Sequence, residues 1–171
     1  MTSQPDDWER RISAVWSMAG ARAERETVAA IEALVAERPA GDGAALFEQA
    51  SALDFAGREA EAEPYYRQAL TAGLDQHRRP RAAIQLASTI RNLGRPEESA
   101  AILRAEIATS GSDGLEDARV AFLALALIDA GQPTEAIVVA LEAIAGHLGD
   151  YRRAISYYAS DLRDRYRPVG F

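Results

Sequence analysis

The sequence contains no cysteine and no lysine, and it has only two histidines. Without cysteine there is no disulfide framework, no thiolate metal site and no cysteine nucleophile. His77 and His147 form no ligand spacing with each other, so we expect no metal site. The phosphate-binding pattern G-x-x-x-x-G-K-[ST] is also missing, as is a glycine-rich turn after a strand. We therefore expect no cofactor and no enzymatic activity.

Basic residues are fewer than acidic ones, 19 against 26, and the net charge is −7. This is the wrong sign for a surface that binds phosphate backbones, so we expect no nucleic-acid partner. The first eight residues are acidic and lack an apolar run, and we expect neither a secretory signal nor a membrane anchor there. We expect a cytoplasmic protein. The 171 residues, 48% of them hydrophobic, fit one domain over 1–171.

Glycines recur at a fixed period of 37 residues, at Gly20, Gly57, Gly94 and Gly131. A small residue stands seven positions before each glycine, and a large apolar residue stands four positions before it. These are Ser13, Ala50, Ala87 and Ala124, and Trp16, Leu53, Ile90 and Leu127, respectively. A small residue one turn before a large one lets a neighbouring helix approach closely. The period therefore indicates an internal repeat.

Each repeat is predicted to be a helix, a glycine turn and a second helix. Glycine favours the left-handed backbone that ends a helix, and Pro96 and Pro133 suit the first turn of the next one. In the helix after Gly20, the apolar face is displaced by about two residues relative to the later repeats. This displacement indicates a longer turn in an atypical first repeat. No alternating run predicts a strand, so the fold class is all-α. The predicted helices span 6–18, 24–37, 43–56, 59–72, 79–92, 96–109, 115–130, 133–146 and 150–167.

These residues resemble the signature of the tetratricopeptide repeat family. Leu86, Ala87 and Ile90 before Gly94 occupy signature places, and so do the equivalent residues before Gly131 and Ala62, Tyr66 and Ala69 after Gly57. The signature tryptophan is absent, and the period of 37 exceeds the family's 34. The chain is also similar to short bacterial proteins of this family that have no assigned activity. The expected organisation is an atypical hairpin at 6–40, repeats at 43–76, 80–113 and 117–149, and a capping helix at 150–167.

The resemblance implies a right-handed α-solenoid whose first helices line a concave groove that binds a protein or peptide. An arginine can bind a partner carboxylate, an asparagine a peptide backbone, and a phenylalanine an apolar anchor. The alternative is that these are ordinary surface positions. The family's lysine-containing carboxylate clamp is not reproduced, so we expect no chaperone-tail binding. The groove positions carried over are Phe47, Ser51, Asp54, Phe55, Gln85, Ser88, Arg91, Asn92, Phe122, Leu125 and Asp129.

The predicted helix 115–130 is apolar on all sides, and such a helix requires cover on all sides. It is too short for the roughly 20 residues of a membrane span, and we expect no membrane partner. Either the last helix folds back over its groove face, which we favour, or Phe122, Leu125 and Ile128 form a patch that binds another chain.

The C-terminal segment is predicted to be a helix that serves either as a cap or as a dimer interface. Its apolar face contains Tyr151, Ile155, Tyr158 and Leu162. The alternative function to groove binding is therefore a homodimer formed through this helix and the Phe122 patch.

A basic cluster, His77-Arg78-Arg79-Pro80-Arg81, stands at a predicted helix start, where positive charge opposes the helix dipole. Two kinds of acidic group could compensate this positive charge, and the sequence leaves both alternatives open. One is internal pairing with Glu59, Glu61 and Glu63, and the other is an acidic segment of a partner.

Overall fold

The computed structural model describes residues 7–166, which contain α-helices and no strand. The predicted helix bounds are confirmed to within two residues, and the predicted outermost ends at 6 and 167 lie just outside the described residues. The helices are α1 (Asp7–Met18), α2 (Glu24–Val35), α3 (Gly43–Phe55), α4 (Glu59–Ala72), α5 (Arg78–Asn92), α6 (Pro96–Thr109), α7 (Glu116–Asp129), α8 (Pro133–Ala145) and α9 (Arg152–Arg165).

Three of the four periodic glycines end a helix in the same way. Gly57, Gly94 and Gly131 have φ values of 67°, 79° and 72°. In each case the next backbone N–H donates to the carbonyl five residues before it, at 2.9, 3.1 and 2.8 Å. This is the Schellman motif, which satisfies carbonyls that the helix leaves free. Pro96 and Pro133 begin α6 and α8, as predicted.

The prediction is wrong for the first periodic glycine. Gly20 lies inside a 3₁₀ turn, Ala19–Ala21, and it is not among the glycines with positive φ. The chain then extends through Arg22 and Ala23 before α2 begins at Glu24. The longer turn expected in the first repeat is therefore present, but it does not use a left-handed glycine.

The chain forms two compact units, residues up to Thr89 and residues from Ile90 onward. We call them the N-terminal and C-terminal units. In the N-terminal unit, α2 packs against α1 and α3, and α3 packs against α4. The Trp8 Nε1–H donates to the Leu34 carbonyl at 2.9 Å and ties α1 to the end of α2. One core cluster here comprises Trp8, Ile12, Val28, Ile31, Leu34, Ala45 and Ala52.

In the C-terminal unit, α7 packs against α6 and α8, and α9 packs against α8. Its buried side chains include Leu103, Leu123, Leu127, Val138 and Ala159. The favoured expectation that the last helix covers the groove face of α7 is wrong, because Leu125 and Ile128 remain 44% and 53% exposed.

Candidate functional site

In the N-terminal unit, the predicted groove residues Ser51 and Gln85 lie side by side on α3 and α5. The Ser51 hydroxyl donates to the Phe47 carbonyl at 2.9 Å, and its oxygen lies 3.3 Å from Gln85 Oε1. Ser51 is buried, and Gln85 is half-buried. The pair therefore presents a polar edge between two first helices of consecutive repeats.

Asp54, one turn further along α3, accepts a hydrogen bond from a buried tyrosine. The Tyr66 hydroxyl donates from α4 to Asp54 Oδ2 at 3.4 Å. Burial raises the pKa of Asp54, against the effect of a hydrogen bond from Thr89, and the nearby Glu59 raises it further. The half-buried carboxylate thus has neutral hydroxyl groups as its hydrogen-bond donors.

The remaining predicted groove residues of this unit differ in exposure. Phe47 is only 7% exposed and packs against the ring of Tyr66, with centroids 6.2 Å apart. Phe55 is 41% exposed and meets the ring of Trp16 edge-on at 6.0 Å. Ser88 on α5 is half-buried. An apolar anchor from a partner can therefore reach Phe55, whereas Phe47 belongs to the core.

In the C-terminal unit, the structure brings the predicted residues Arg91 and Asp129 together. Arg91 Nε at the end of α5 lies 3.4 Å from Asp129 Oδ2 at the end of α7. Arg91 Nη2 donates to the neighbouring Asn92 side-chain oxygen at 3.3 Å. Arg91 Nε is buried and makes no geometrically good hydrogen bond. The guanidinium is thus held loosely, next to an aspartate that is half exposed.

Beside this pair, α7 presents apolar side chains to solvent. Leu125 and Ile128 are exposed, and Phe122 is half-buried. Ile128 and Asp129 follow Leu125 by three and four positions, so the three residues form adjoining parts of one helical surface. An apolar patch beside a loosely held cation is suited to a short segment that carries an apolar side chain and a carboxylate.

The C-terminal helix uses part of its predicted face for internal packing. Ile155 and Leu162 are half-buried and Ala159, which the sequence pattern did not single out, is fully buried. Tyr151 and Tyr158 are 73% and 57% exposed. The predicted face is therefore divided between a packed half and an exposed half.

Within the basic cluster at the start of α5, Arg78 pairs with acids other than the expected glutamates of α4. Arg78 binds Glu9, Glu48 and Asp75, and none of the three was expected. The expected Glu61 binds Arg58 instead, and Glu63 binds Arg67. Arg78 therefore does not make the expected pairing with the acidic start of α4, and for the rest of the cluster that pairing stays a prediction.

Glu48 and Arg119 are buried charged groups that were not predicted from the sequence. Glu48 is 4% exposed, and burial raises its pKa although Trp16 and Arg78 bind it. Arg119 is 1% exposed and binds Asp113 in the loop before α7, with Nη1 2.8 Å from Oδ1. In the sequence, the only indication of these buried pairs is that a charged residue, Glu48 or Arg119, stands among the apolar residues of a predicted helix.

No group of three or more histidine, aspartate or glutamate side chains within 7–166 is arranged to hold a metal ion. Within the same range no helix has the length and apolar character that crossing a membrane requires.

Comparisons with known proteins agree on the fold. A family model described as Tetratrico peptide repeat matches residues 43–162. A putative kinesin light chain of Podosopora anserina with nearly identical TPR-like repeats superimposes with a TM-score of 0.71 at 19% identity. That match covers 97% of this chain and 91% of the other. A glutamine-to-methionine variant of the same protein gives a TM-score of 0.69 at 19% identity, over 96% and 91% of the two chains.

A MamA RS-1 double mutant gives a TM-score of 0.60 at 14% identity, over 98% of this chain and 100% of the other. No curated protein is significantly similar to the chain in sequence. At these sequence identities the structural matches support the fold alone. The prediction of an all-α helical-repeat fold is confirmed.

Proposed function

Because the chain belongs to the tetratricopeptide repeat family, whose fold generally mediates protein–protein interaction, we propose that it binds a peptide segment of a partner protein. The proposed binding surface lies in the C-terminal unit. We call it the α7 surface, and it comprises Arg91, Asn92, Phe122, Leu125, Ile128 and Asp129. The family typically serves as a non-catalytic scaffold.

The observation that carries this proposal is the exposure of Leu125 and Ile128 on a helix whose other faces are packed. Monomeric proteins rarely leave adjoining large apolar side chains in water without a use for them. Burying a leucine side chain of a partner against this patch contributes about 1.5–3 kcal/mol. This contribution is the apolar half of the recognition.

The polar half is a carboxylate of the partner bound by Arg91. The guanidinium has five N–H donors, and its contacts with Asp129 and Asn92 are long, at 3.4 and 3.3 Å. An acidic partner side chain therefore finds free donor capacity there. Asp129 competes for the same cation, which keeps the affinity moderate.

We propose the polar edge of the N-terminal unit as a second contact surface. It comprises Ser51, Asp54, Phe55, Gln85 and Ser88. Phe47 supports it from within the core by packing against Tyr66. The division of the chain into a hairpin, three repeats and a capping helix, and its location in the cytoplasm, are likewise proposals.

The test is selection of peptides from a random library on the immobilised protein, followed by titration of each recovered peptide. We expect Leu125→Asp and Arg91→Glu each to weaken binding at least about tenfold. The matched control is Ile144→Asp, which places the same charge at an isoleucine of α8 that is 51% exposed. Circular dichroism checks that each variant is folded.

The control variant is expected to bind like the parent. Recovery of peptides that bind the Leu125→Asp variant as tightly as the parent would overturn the assignment of the α7 surface. Failure to recover any specific peptide would overturn the proposal of peptide binding.

A further inference from the structure

The side of α9 that faces away from α8 contains a regular stripe of four exposed residues. Arg153, Tyr157, Ser160 and Asp164 follow one another at intervals of four, three and four, and all four are exposed. At about 100° per residue, an interval of eleven returns to within about 20° of the starting direction. The stripe lies opposite Ala159, which is buried against the chain itself.

The two charges at the ends of the stripe lack a partner in the part of the chain that the structure describes. The two arginines that flank Asp164 are paired. Arg163 binds Glu142 at 3.0 Å, and Arg165 binds Asp161. Arg153 and Asp164 have no ion pair with any residue between 7 and 166. They lie about 16 Å apart along the helix, because each residue rises about 1.5 Å.

The order of residues along the stripe is complementary to its own reverse. Read in one direction it is base, tyrosine, serine and acid, and read in the other it is acid, serine, tyrosine and base. When two such helices lie antiparallel, Arg153 of one meets Asp164 of the other, and Tyr157 meets Ser160. A twofold axis makes every contact twice. A parallel arrangement would instead set Arg153 against Arg153 and Asp164 against Asp164.

We propose that the outer face of α9 is a homodimer interface in which two copies of this chain pair antiparallel through this stripe. Serine is small enough to let the helix axes approach to the usual distance of about 8–10 Å while the opposing tyrosine ring fills the space beside it. Tyr157 is 67% exposed and already contacts the Tyr158 ring at 5.7 Å. Tyrosine is the kind of side chain on which interfaces rely.

The interface is centred on Tyr157 rather than on the face of Tyr158 and Ile155 expected from the sequence. Ile155 is half-buried in its own chain, whereas all four residues of the stripe are exposed among the residues that the structure describes. A contact of one helix with one helix is at the small end of stable interfaces, so we expect a weak dimer that forms at the higher protein concentrations. The interface does not use Arg91 or Leu125, so the proposed dimer is independent of the proposed peptide binding.

The first test is the mass of the purified chain by light scattering over a concentration series. We expect the parent to change from monomer to dimer within the series. Arg153→Asp and Asp164→Arg each create two like-charge contacts, and each is expected to raise the dimer dissociation constant about tenfold. The double variant Arg153→Asp with Asp164→Arg recreates both pairs with the charges exchanged, and it is expected to dimerise like the parent.

The matched control is Arg152→Asp, which makes the same charge change one residue away and about 100° around the helix. It is expected to leave the dissociation constant unchanged. A parent that stays monomeric at every concentration would overturn the proposal. So would a double variant as weak as the single ones, or a control that weakens the dimer equally.

The second test fixes the register and uses the absence of native cysteine. Arg153→Cys and Asp164→Cys variants are oxidised separately and as a mixture. Antiparallel pairing brings position 153 of one copy against position 164 of the other, so we expect a disulfide-linked dimer in the mixture alone. Cross-linking of each variant with itself would indicate parallel pairing and overturn the proposed register.

Discussion

Arg78 and Glu48, thirty residues apart in the chain, form an ion pair whose side chains are 13% and 5% exposed, with Nε 3.1 Å from Oε1. The second oxygen of Glu48 accepts a hydrogen bond from Trp16 Nε1 at 2.8 Å. The pair thereby ties α1, α3 and the start of α5 together. Both charges are desolvated, and Glu48 depends on Arg78 for its neutralisation.

Removing one partner of this pair is expected to cost more than removing both. Arg78→Met leaves Glu48 buried without its cation and should lower the free energy of unfolding by about 3 kcal/mol. Adding Glu48→Gln to that variant removes the unpaired charge and should restore part of the loss. Urea unfolding of the three proteins measures this. A double variant less stable than Arg78→Met would contradict the reasoning.

The pairing of Asp113 with Arg119 predicts a dependence of stability on acid pH. The Arg119 guanidinium lowers the pKa of Asp113 from 3.8 to about 2. A carboxylate with a lowered pKa contributes stability that is present above its unfolded value and is lost as pH falls through its folded value. We therefore expect unfolding free energies, measured from about pH 5 down to about pH 2, to fall less steeply for Asp113→Asn than for the parent. Equal slopes would show that Asp113 does not titrate as proposed.

The periodic glycines are expected to respond unequally to alanine. Gly57 has a φ of 67°, and an added Cβ would meet no atom within 4 Å, so the cost of Gly57→Ala is that of the backbone alone. We expect a loss of about 1–2 kcal/mol. Gly20 has equal space but no positive φ, and Gly20→Ala should cause no loss. Thermal unfolding compares the two variants, and equal losses would contradict the distinction.

This contrast shows how much of the fold the sequence predicts. The 37-residue period identifies the helices and three of the four turns, because an apolar face and a helix-ending glycine act locally. The backbone at Gly20 also depends on how α1 and α2 dock, which the period does not report. A helix ended by a 3₁₀ turn and one ended by a left-handed glycine have the same local sequence signal.

The candidate site was less predictable for the same reason. The family pattern identifies Arg91 and Asp129 as groove positions but does not indicate that they contact each other, since that depends on how the end of α5 lies against α7. The pattern also assigns Phe47 to the groove, whereas Tyr66 from α4 draws its ring into the core. The buried pairs of Glu48 and Arg119 join residues whose proximity only the assembled helices create.

Competition at Arg91 predicts that removing Asp129 strengthens binding of an acidic peptide. Asp129 is 51% exposed, so its attraction for the guanidinium is a surface effect of up to about 1 kcal/mol. Asp129→Ala should therefore lower the dissociation constant of an acidic peptide about threefold. The same peptide with its acids changed to amides serves as the control and should bind both proteins equally. Weaker binding of the acidic peptide to Asp129→Ala would show that Asp129 itself is a contact for the partner.

The most direct test of the proposed function is the position at which a selected peptide binds. Isotope-labelled protein is titrated with the peptide, and the backbone amide chemical shifts are followed residue by residue. We predict that the largest changes fall on the end of α5 at Arg91 and Asn92 and on α7 from Phe122 to Asp129. Largest changes on the outer faces of α8 and α9, with α7 unaffected, would contradict the proposal that the α7 surface is the binding site.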